Sequence, residues 1–226
     1  MRYVWIVAFI LMGTMASAQQ AADAVQPEAV TRRQMAAQSD VVAAALRAKA
    51  AGQPVLAQAC MVAAAHPLAV QAETDILAAG GTAADALVAV QAVLRRVAPQ
   101  SSDLGGGAFL VWYDVAQSSI TTLDGRETAP LAATPGTPAL LGEMHRRWGT
   151  QGWARLFDVA IHLAETGFGL SPRSGLLRRA NRHLIMRCFW SDDDSLELPS
   201  TSHISIVESY GNVAVMTTTI ENAFGD

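Results

Sequence analysis

The stretch that most constrains the fold is TAADALVAVQAVLRRV, residues 82–97. Thr82 provides an N-cap, Pro99 follows the end, and the residues up to Leu94 are apolar on nearly every helical face. A helix that is apolar all round is stable only when it is buried. This stretch therefore predicts a layered domain with a helix held between other elements.

The rest of the pattern alternates helices with paired strands. Helices are predicted over 41–51, within 66–81, and over 138–148 and 153–166; strands over 108–113, 120–123, 201–207 and 213–220. A turn around Tyr210 would set Val207 opposite Val213 and Thr201 opposite Thr219. Helix pairs that alternate with hairpins favour a layered α/β or α+β fold.

Composition narrows the function classes. Apolar residues make up 51% of the 226 residues and charged residues only 16%, against a typical charged share of about 25%. The chain can therefore bury a sizeable core in one domain, or one domain with an appendage. The net charge is −4 with no dominant basic patch, which argues against nucleic acid as a partner.

The N-terminus predicts export. Arg2 precedes an apolar run over 3–13, and Ala16-Ser17-Ala18 matches a cleavage site. The run is shorter than the ~20 residues of a membrane helix, so residues 1–18 are interpreted as a signal peptide. The alternative is an uncleaved anchor. The mature protein is expected to be periplasmic or secreted, with no stable membrane span.

Two further segments differ from the main domain. Residues 19–57 are rich in Ala, Gln and Val and are interpreted as a helical N-terminal segment. Residues 174–198 run from basic through aromatic to acidic, and such a shift in composition indicates a junction.

The stretch LPSTSHISIV opens a strand with hydroxyls and an imidazole. If the bond before Thr201 is cut, its α-amine, with a pKa of about 8, becomes free. That amine can take the hydroxyl proton and produce a nucleophile without a histidine. The opposed Thr219 would orient it, although threonine pairs are also common in ordinary sheets.

Arg126, in the loop LDGRETAP, has two interpretations. It either clamps a substrate carboxylate through two hydrogen bonds or forms a surface ion pair with Glu127. The glycines at 105–107 are followed by a strand rather than a helix, so they indicate a tight start to a buried strand instead of a phosphate loop.

The histidines and cysteines give weak signals. No histidine spacing matches a metal site, and His162 is expected to be a core residue. An exported protein could pair Cys60 with Cys188, but a buried free Cys60 on an Ala-rich helix is preferred.

Taken together, these stretches resemble a known family. AAAHPLAVQAETDILAAGGTAADALVAVQAVLRRVAPQSSDLGGGAFLVWYD and LDGRETAP resemble the large chain of γ-glutamyltransferases, over about residues 58–173. STSHISIVESYGNVAVMTTTIENAFG resembles the start of their small chain, within 199–226.

The resemblance implies an N-terminal-nucleophile hydrolase fold, which is an α+β, four-layer αββα sandwich. It implies autocleavage of an exported precursor and transfer of the γ-glutamyl group of glutathione to water or to an amino acid or peptide acceptor. No cofactor or metal is implied. Thr201 resembles the nucleophile freed by cleavage after Ser200, and Thr219 the threonine that hydrogen-bonds it. Arg126 resembles the arginine that holds the substrate α-carboxylate. Glu221 stands where many members carry a substrate-binding asparagine and is expected to bind the α-amine.

The sequence also departs from the family. Residues 174–198 replace a long stretch of large chain, and the small-chain motifs for the oxyanion hole and the second sheet do not follow Phe224. We therefore expect an internally deleted, C-terminally truncated member with an incomplete sandwich. Two alternatives stay open: a catalytically inactive exported remnant, and an acylase acting on glutaryl β-lactams.

Overall fold

The structure, a computed structural model, describes residues 40–55, 57, 59–126, 135–170 and 199–222. The predicted signal peptide over 1–18, most of the segment over 19–57 and the junction over 174–198 lie outside the described residues. The large-chain-like region and the hairpin are described in most of their length.

The helices and strands lie where the pattern predicts them, with ends that differ by a few residues. They are α1 Asp40–Ala50, β1 Met61–Ala63, α2 Pro67–Ala78, α3 Ala83–Val97, β2 Gly107–Asp114, β3 Ser119–Gly125, α4 Gly136–Trp148, a 3₁₀ helix Trp153–Phe157, α5 Asp158–Thr166, β4 Pro199–Val207 and β5 Val213–Asn222. Strand β1 was not predicted. The single helix predicted over 153–166 begins as the 3₁₀ helix.

The strands form one antiparallel sheet in the order β1-β4-β5-β2-β3. The C-terminal hairpin, β4–β5, therefore lies between β1 and β2 rather than at an edge. Gly211 has a φ of +93° in the turn of this hairpin, a conformation that glycine adopts without strain. This central position places the end of β4 next to β1, and β5 next to β2, so the hairpin is flanked by strands from earlier in the sequence.

The two faces of the sheet differ. Alternate residues such as Leu110, Ile204 and Met216 are buried on the face that packs against the helices, which we call the helical face. Their neighbours point to the opposite side, called here the outer face, where Phe109 and Val111 are 46% and 42% exposed. The difference follows from the two-residue period of a strand.

Helix α3 is buried as predicted, since every residue from Ala83 to Leu94 is buried. Its start has a capping box in which Thr82 and Asp85 exchange hydrogen bonds. The buried Asp85 carboxylate also accepts hydrogen bonds from the backbone and hydroxyl of Thr150 and from the Gln151 backbone. Burial alone would raise the pKa of Asp85, but these hydrogen bonds outweigh it and lower the pKa below 3.8.

Two minor predictions are wrong. Cys60 is a free thiol, but it is half-buried and lies just before β1 rather than on a helix. His162 lies on α5 as expected, yet it is exposed, because this part of α5 turns to solvent.

Among the described helices, none has the length and apolar character needed for a membrane span.

Candidate active site

The predicted pair of threonines meets at the open end of the β4–β5 hairpin. Thr201 is opposite Thr219, and Val207 is opposite Val213, so the predicted register is confirmed. Thr201 is exposed and Thr219 is half-buried, and both belong to the outer face. Directly opposed residues in an antiparallel pair have Cβ atoms about 5 Å apart, which brings the two hydroxyl groups within reach of each other.

The sheet is irregular at the bond that the sequence marks for cleavage. Pro199 pairs with Asn222 and Thr201 with Thr219, so β5 advances one residue more than β4 between the two pairs. This is a β-bulge, and it lies opposite Ser200. Bulges bend a strand and redirect side chains, and they are frequent beside active sites.

Gly106 holds the backbone of Thr219 at close range. A Cβ atom added to Gly106 would lie 1.9 Å from the Thr219 carbonyl oxygen. The Gly106 carbonyl in turn accepts hydrogen bonds from the backbone N–H groups of Gly136 and Thr137, both at 3.1 Å. The glycine run thus provides a tight start to a buried strand, as the sequence suggested, and fixes the second threonine.

A buried serine pair fixes the strand that carries Thr201. Ser202 points to the helical face, and its hydroxyl lies 3.1 Å from both the carbonyl oxygen and the hydroxyl of Ser101. Both serines are buried. Because side chains alternate along a strand, burying Ser202 on one face turns Thr201 out on the other.

The imidazole noticed in the sequence lies on the outer face beside the threonine pair. A hydrogen bond of 2.8 Å joins His203 Nδ1 to the Thr217 hydroxyl, and Nε2 lies 3.3 Å from the Ser205 hydroxyl. His203 thus binds side chains from both strands of the hairpin and stabilises its register next to Thr201.

The turn of the hairpin is anchored by a residue that sequence reasoning missed. The buried Glu208 carboxylate accepts a 2.6 Å hydrogen bond from the backbone N–H of Ala83, at the start of α3, and another from the Asn212 side chain. A carboxylate is favourable at the N-terminus of a helix. Nothing near Glu208 in the sequence indicates this partner, which is 125 positions away.

Arg126 leaves the sheet at the end of β3 on the outer face. Its backbone N–H donates to the Asp124 carboxylate at 3.0 Å, and its guanidinium carbon lies 5.8 Å from the centre of the Phe109 ring. Phe109 is on β2, so the guanidinium is directed back over the sheet. Gly107 is the first residue of β2 and lies directly opposite Thr219, so β2 has no side chain at the position next to Thr219.

A cavity of about 330 Å³ lies beside Arg126, between the end of β3 and α4. Its lining includes Glu143, whose carboxylate is bound by Arg146 and Arg147. These hydrogen bonds lower the pKa of Glu143 to about 2. Glu143 is therefore ionised at neutral pH and already paired with two guanidinium groups.

Two predicted site residues cannot be placed in the same detail. Ser200 and Glu221 belong to β4 and β5, but their side chains lie outside the described part of the chain. Among the described residues, no group of three His, Cys, Asp or Glu side chains could hold a metal ion.

Comparison with known proteins places this geometry in a family. The gamma-glutamyltranspeptidase family model matches residues 69–135 and 131–188. The glutathione hydrolase proenzyme of Bacillus subtilis is 37% identical over an alignment of 134 residues, and the alignment covers 48% of this chain and 23% of that protein. The chain thus spans about a quarter of the length of such relatives.

Solved structures agree. The gamma-glutamyltranspeptidase of Helicobacter pylori has a TM-score of 0.56 at 30% identity, over 59% of this chain and 46% of that one. The cephalosporin acylase of Bacillus halodurans has a TM-score of 0.54 at 28% identity, over 61% and 29%. This likeness confirms the predicted N-terminal-nucleophile hydrolase type of α+β fold, of which the described residues supply one sheet and one helical layer. The chain belongs to the gamma-glutamyltranspeptidase family.

Proposed function

We propose that this chain performs γ-glutamyl transfer or hydrolysis with Thr201 as an N-terminal nucleophile, freed by cleavage after Ser200. The observation that carries the proposal is the pairing of Thr201 with Thr219 at the bulged end of the β4–β5 hairpin. Export to the periplasm or the exterior belongs to the same proposal, on the strength of the sequence over 1–18.

Cleavage proceeds by attack of the Thr201 hydroxyl oxygen on the carbonyl carbon of Ser200. The C–N bond breaks, an ester forms, and the hydroxyl proton moves to the nitrogen that becomes the α-amine of Thr201. Water then hydrolyses the ester and leaves a Ser200 carboxylate and a free hydroxyl. The β-bulge beside Ser200 supports this step, because it takes the peptide out of regular pairing.

In acyl transfer, the free α-amine of Thr201 accepts the proton as the hydroxyl attacks the γ-carbonyl of the substrate. The amine then gives the proton to the leaving nitrogen, and a γ-glutamyl ester of Thr201 remains. Water or the amine of an amino acid or peptide attacks the ester and restores the enzyme. The Thr219 hydroxyl donates a hydrogen bond to the Thr201 oxygen throughout.

The position of Arg126 fits a glutamyl group. The guanidinium lies over β2, two strands from β4, which is roughly 10 to 12 Å at a spacing of about 4.8 Å per strand. An extended glutamyl group has about 5 Å between its γ-carbonyl and α-carboxylate carbons, and a contact of about 3 Å at each end gives a similar total. Glu221 would bind the α-amine of such a substrate, with glutathione as the expected donor.

The acylase alternative keeps the same nucleophile and changes the substrate. The likeness to a cephalosporin acylase favours this alternative. A glutaryl group carries a carboxylate that Arg126 could bind, but it has no α-amine. The two functions therefore differ in whether the enzyme needs the amine.

The test compares release of p-nitroaniline from γ-glutamyl and glutaryl anilides by the purified 226-residue chain. We expect the γ-glutamyl anilide to be preferred, Thr201→Ala to be inactive, and Arg126→Lys to raise KM about tenfold or more through loss of the bidentate clamp. A preference for the glutaryl anilide would support the acylase. No release from either would contradict both functions and support the inactive remnant.

A further inference from the structure

The Phe109 ring lies under the Arg126 guanidinium, 5.8 Å from ring centre to guanidinium carbon. Phe109 is 46% exposed on the outer face. A half-exposed phenylalanine contributes less to a core than a buried one does. A cation within about 6 Å of an aromatic ring is attracted by the negative face of the ring.

The register explains why this contact forms. Phe109 pairs with Asp124 on β3 and with Thr217 on β5, so its side chain leaves the outer face two residue pairs along the strand from Thr219. The Asp124 carboxylate holds the backbone N–H of Arg126 where the chain leaves β3. Arg126 is therefore held at its backbone by Asp124 and at its guanidinium by Phe109.

The chemistry of the contact suits a carboxylate clamp. A cation–π contact is an attraction between the guanidinium charge and the ring, so it does not require hydrogen bonds from the in-plane N–H donors of the guanidinium. The fork can then bind both oxygens of a carboxylate. Holding a long, flexible side chain in place beforehand reduces the entropy lost when the ligand binds.

We propose that Phe109 is a positioning residue that holds Arg126 toward Thr201 and so selects acyl groups that carry a carboxylate. The inference rests on the proposed function for the identity of the acyl group. It adds a residue that acts only through Arg126, and it predicts an effect on carboxylate-bearing substrates alone.

The first measurement is the NMR signal of the Arg126 side-chain Nε–Hε group in the full-length chain. We expect the Phe109 ring to change the chemical shift of this signal. Phe109→Leu should remove that change, and Phe109→Tyr should keep it. Val111→Ala is the matched control, because Val111 is on the same strand and face, two residues further on, and 42% exposed. An Arg126 signal that is the same in wild type and Phe109→Leu would overturn the inference.

The second measurement is kinetic. Phe109→Leu should raise KM for the γ-glutamyl anilide about two- to fivefold with kcat unchanged, the range expected for an exposed cation–π contact. KM for butyryl anilide, which has no carboxylate, should not change, and Phe109→Tyr should restore the wild-type KM. Equal changes for both anilides, or no change for either, would contradict the role.

A failure of the proposed function can be told apart from a failure of this inference. If the wild-type chain releases no p-nitroaniline, glutarate is titrated against the Arg126 Nε–Hε signal instead. Weaker glutarate binding in Phe109→Leu than in wild type and Val111→Ala would support the inference without the activity. Equal glutarate binding in all three, or none in wild type, would overturn it.

Discussion

The two ends of the β4–β5 hairpin differ in almost every respect. At the turn, Glu208 is buried and bound to the start of α3, and Asn212 accepts a hydrogen bond from the Val115 backbone. At the other end, the pairing is interrupted by a bulge, and the paired threonines belong to the outer face.

This difference indicates how a strand can be both fixed and reactive. The buried turn end and the sheet neighbours on both sides hold the hairpin in register. The opening end can then depart from regular pairing without loss of the register that opposes Thr201 and Thr219. Stability and the chemistry that we propose are thus assigned to opposite ends of one hairpin.

The largest effect is expected at Gly106, which supports the reactive end. In Gly106→Ala the new methyl would meet the Thr219 carbonyl at 1.9 Å, and neither backbone can move away easily. We expect the free energy of unfolding to fall by about 3 kcal/mol, measured by urea unfolding. Gly105→Ala is the matched control, because no atom lies within 4 Å of its added Cβ. Equal stability of the two variants would contradict the close contact.

A smaller effect is expected at Asp85, which holds the helix start to which the turn end is bound. Asp85→Asn should lower the free energy of unfolding by about 2 kcal/mol at pH 7, because a buried hydrogen-bonded charge is lost. The folded pKa lies below the ordinary 3.8, so wild type keeps this contribution above pH 3.8 and loses it as the pH falls through the folded pKa.

Urea unfolding between pH 7 and pH 3 checks both parts of this prediction. The difference between wild type and Asp85→Asn should shrink as the solution is acidified below pH 3.8. The exposed Asp75→Asn serves as the control and should follow wild type. A difference that stays constant with pH would show that the Asp85 charge does not contribute.

The smallest effect is expected at Glu208. In Glu208→Gln the amide oxygen can still accept from the Ala83 N–H, but the amide NH₂ then faces the Asn212 side chain and cannot accept from it. We expect the free energy of unfolding to fall by about 1 kcal/mol. Hydrogen exchange should accelerate at Gly211 and Asn212 and stay unchanged at Thr219. The control is Glu165→Gln, because Glu165 is exposed. Faster exchange at both ends of the hairpin would contradict the separate roles of the two ends.

Local signals in the sequence predicted the elements well. Gly80, Gly81 and Thr82 predicted the start of α3, and its all-round apolar pattern predicted its burial. The turn around Tyr210 predicted the register of Thr201 with Thr219. Each of these depends on residues that are close in the sequence, or on a hairpin whose register is determined by its turn.

The contacts between distant residues could not be predicted in this way. The placement of the hairpin between β1 and β2, the hydrogen bond from Ala83 to Glu208 and the cation–π contact of Arg126 with Phe109 each join separate elements. No periodicity or capping pattern specifies such a partner. The predicted role of Glu221 came from the resemblance alone, and for Arg126 the resemblance chose between the two interpretations that its loop had left open. Both roles stay predictions.

The most direct test of the central claim is the intact mass of the purified chain, with wild type beside Thr201→Ala. We predict that wild type separates into two polypeptides, one that ends at Ser200 and one that begins at Thr201, and that Thr201→Ala stays whole. An uncut wild-type chain, or the same cut in both proteins, would contradict Thr201 as the residue that cleaves the chain and becomes its nucleophile.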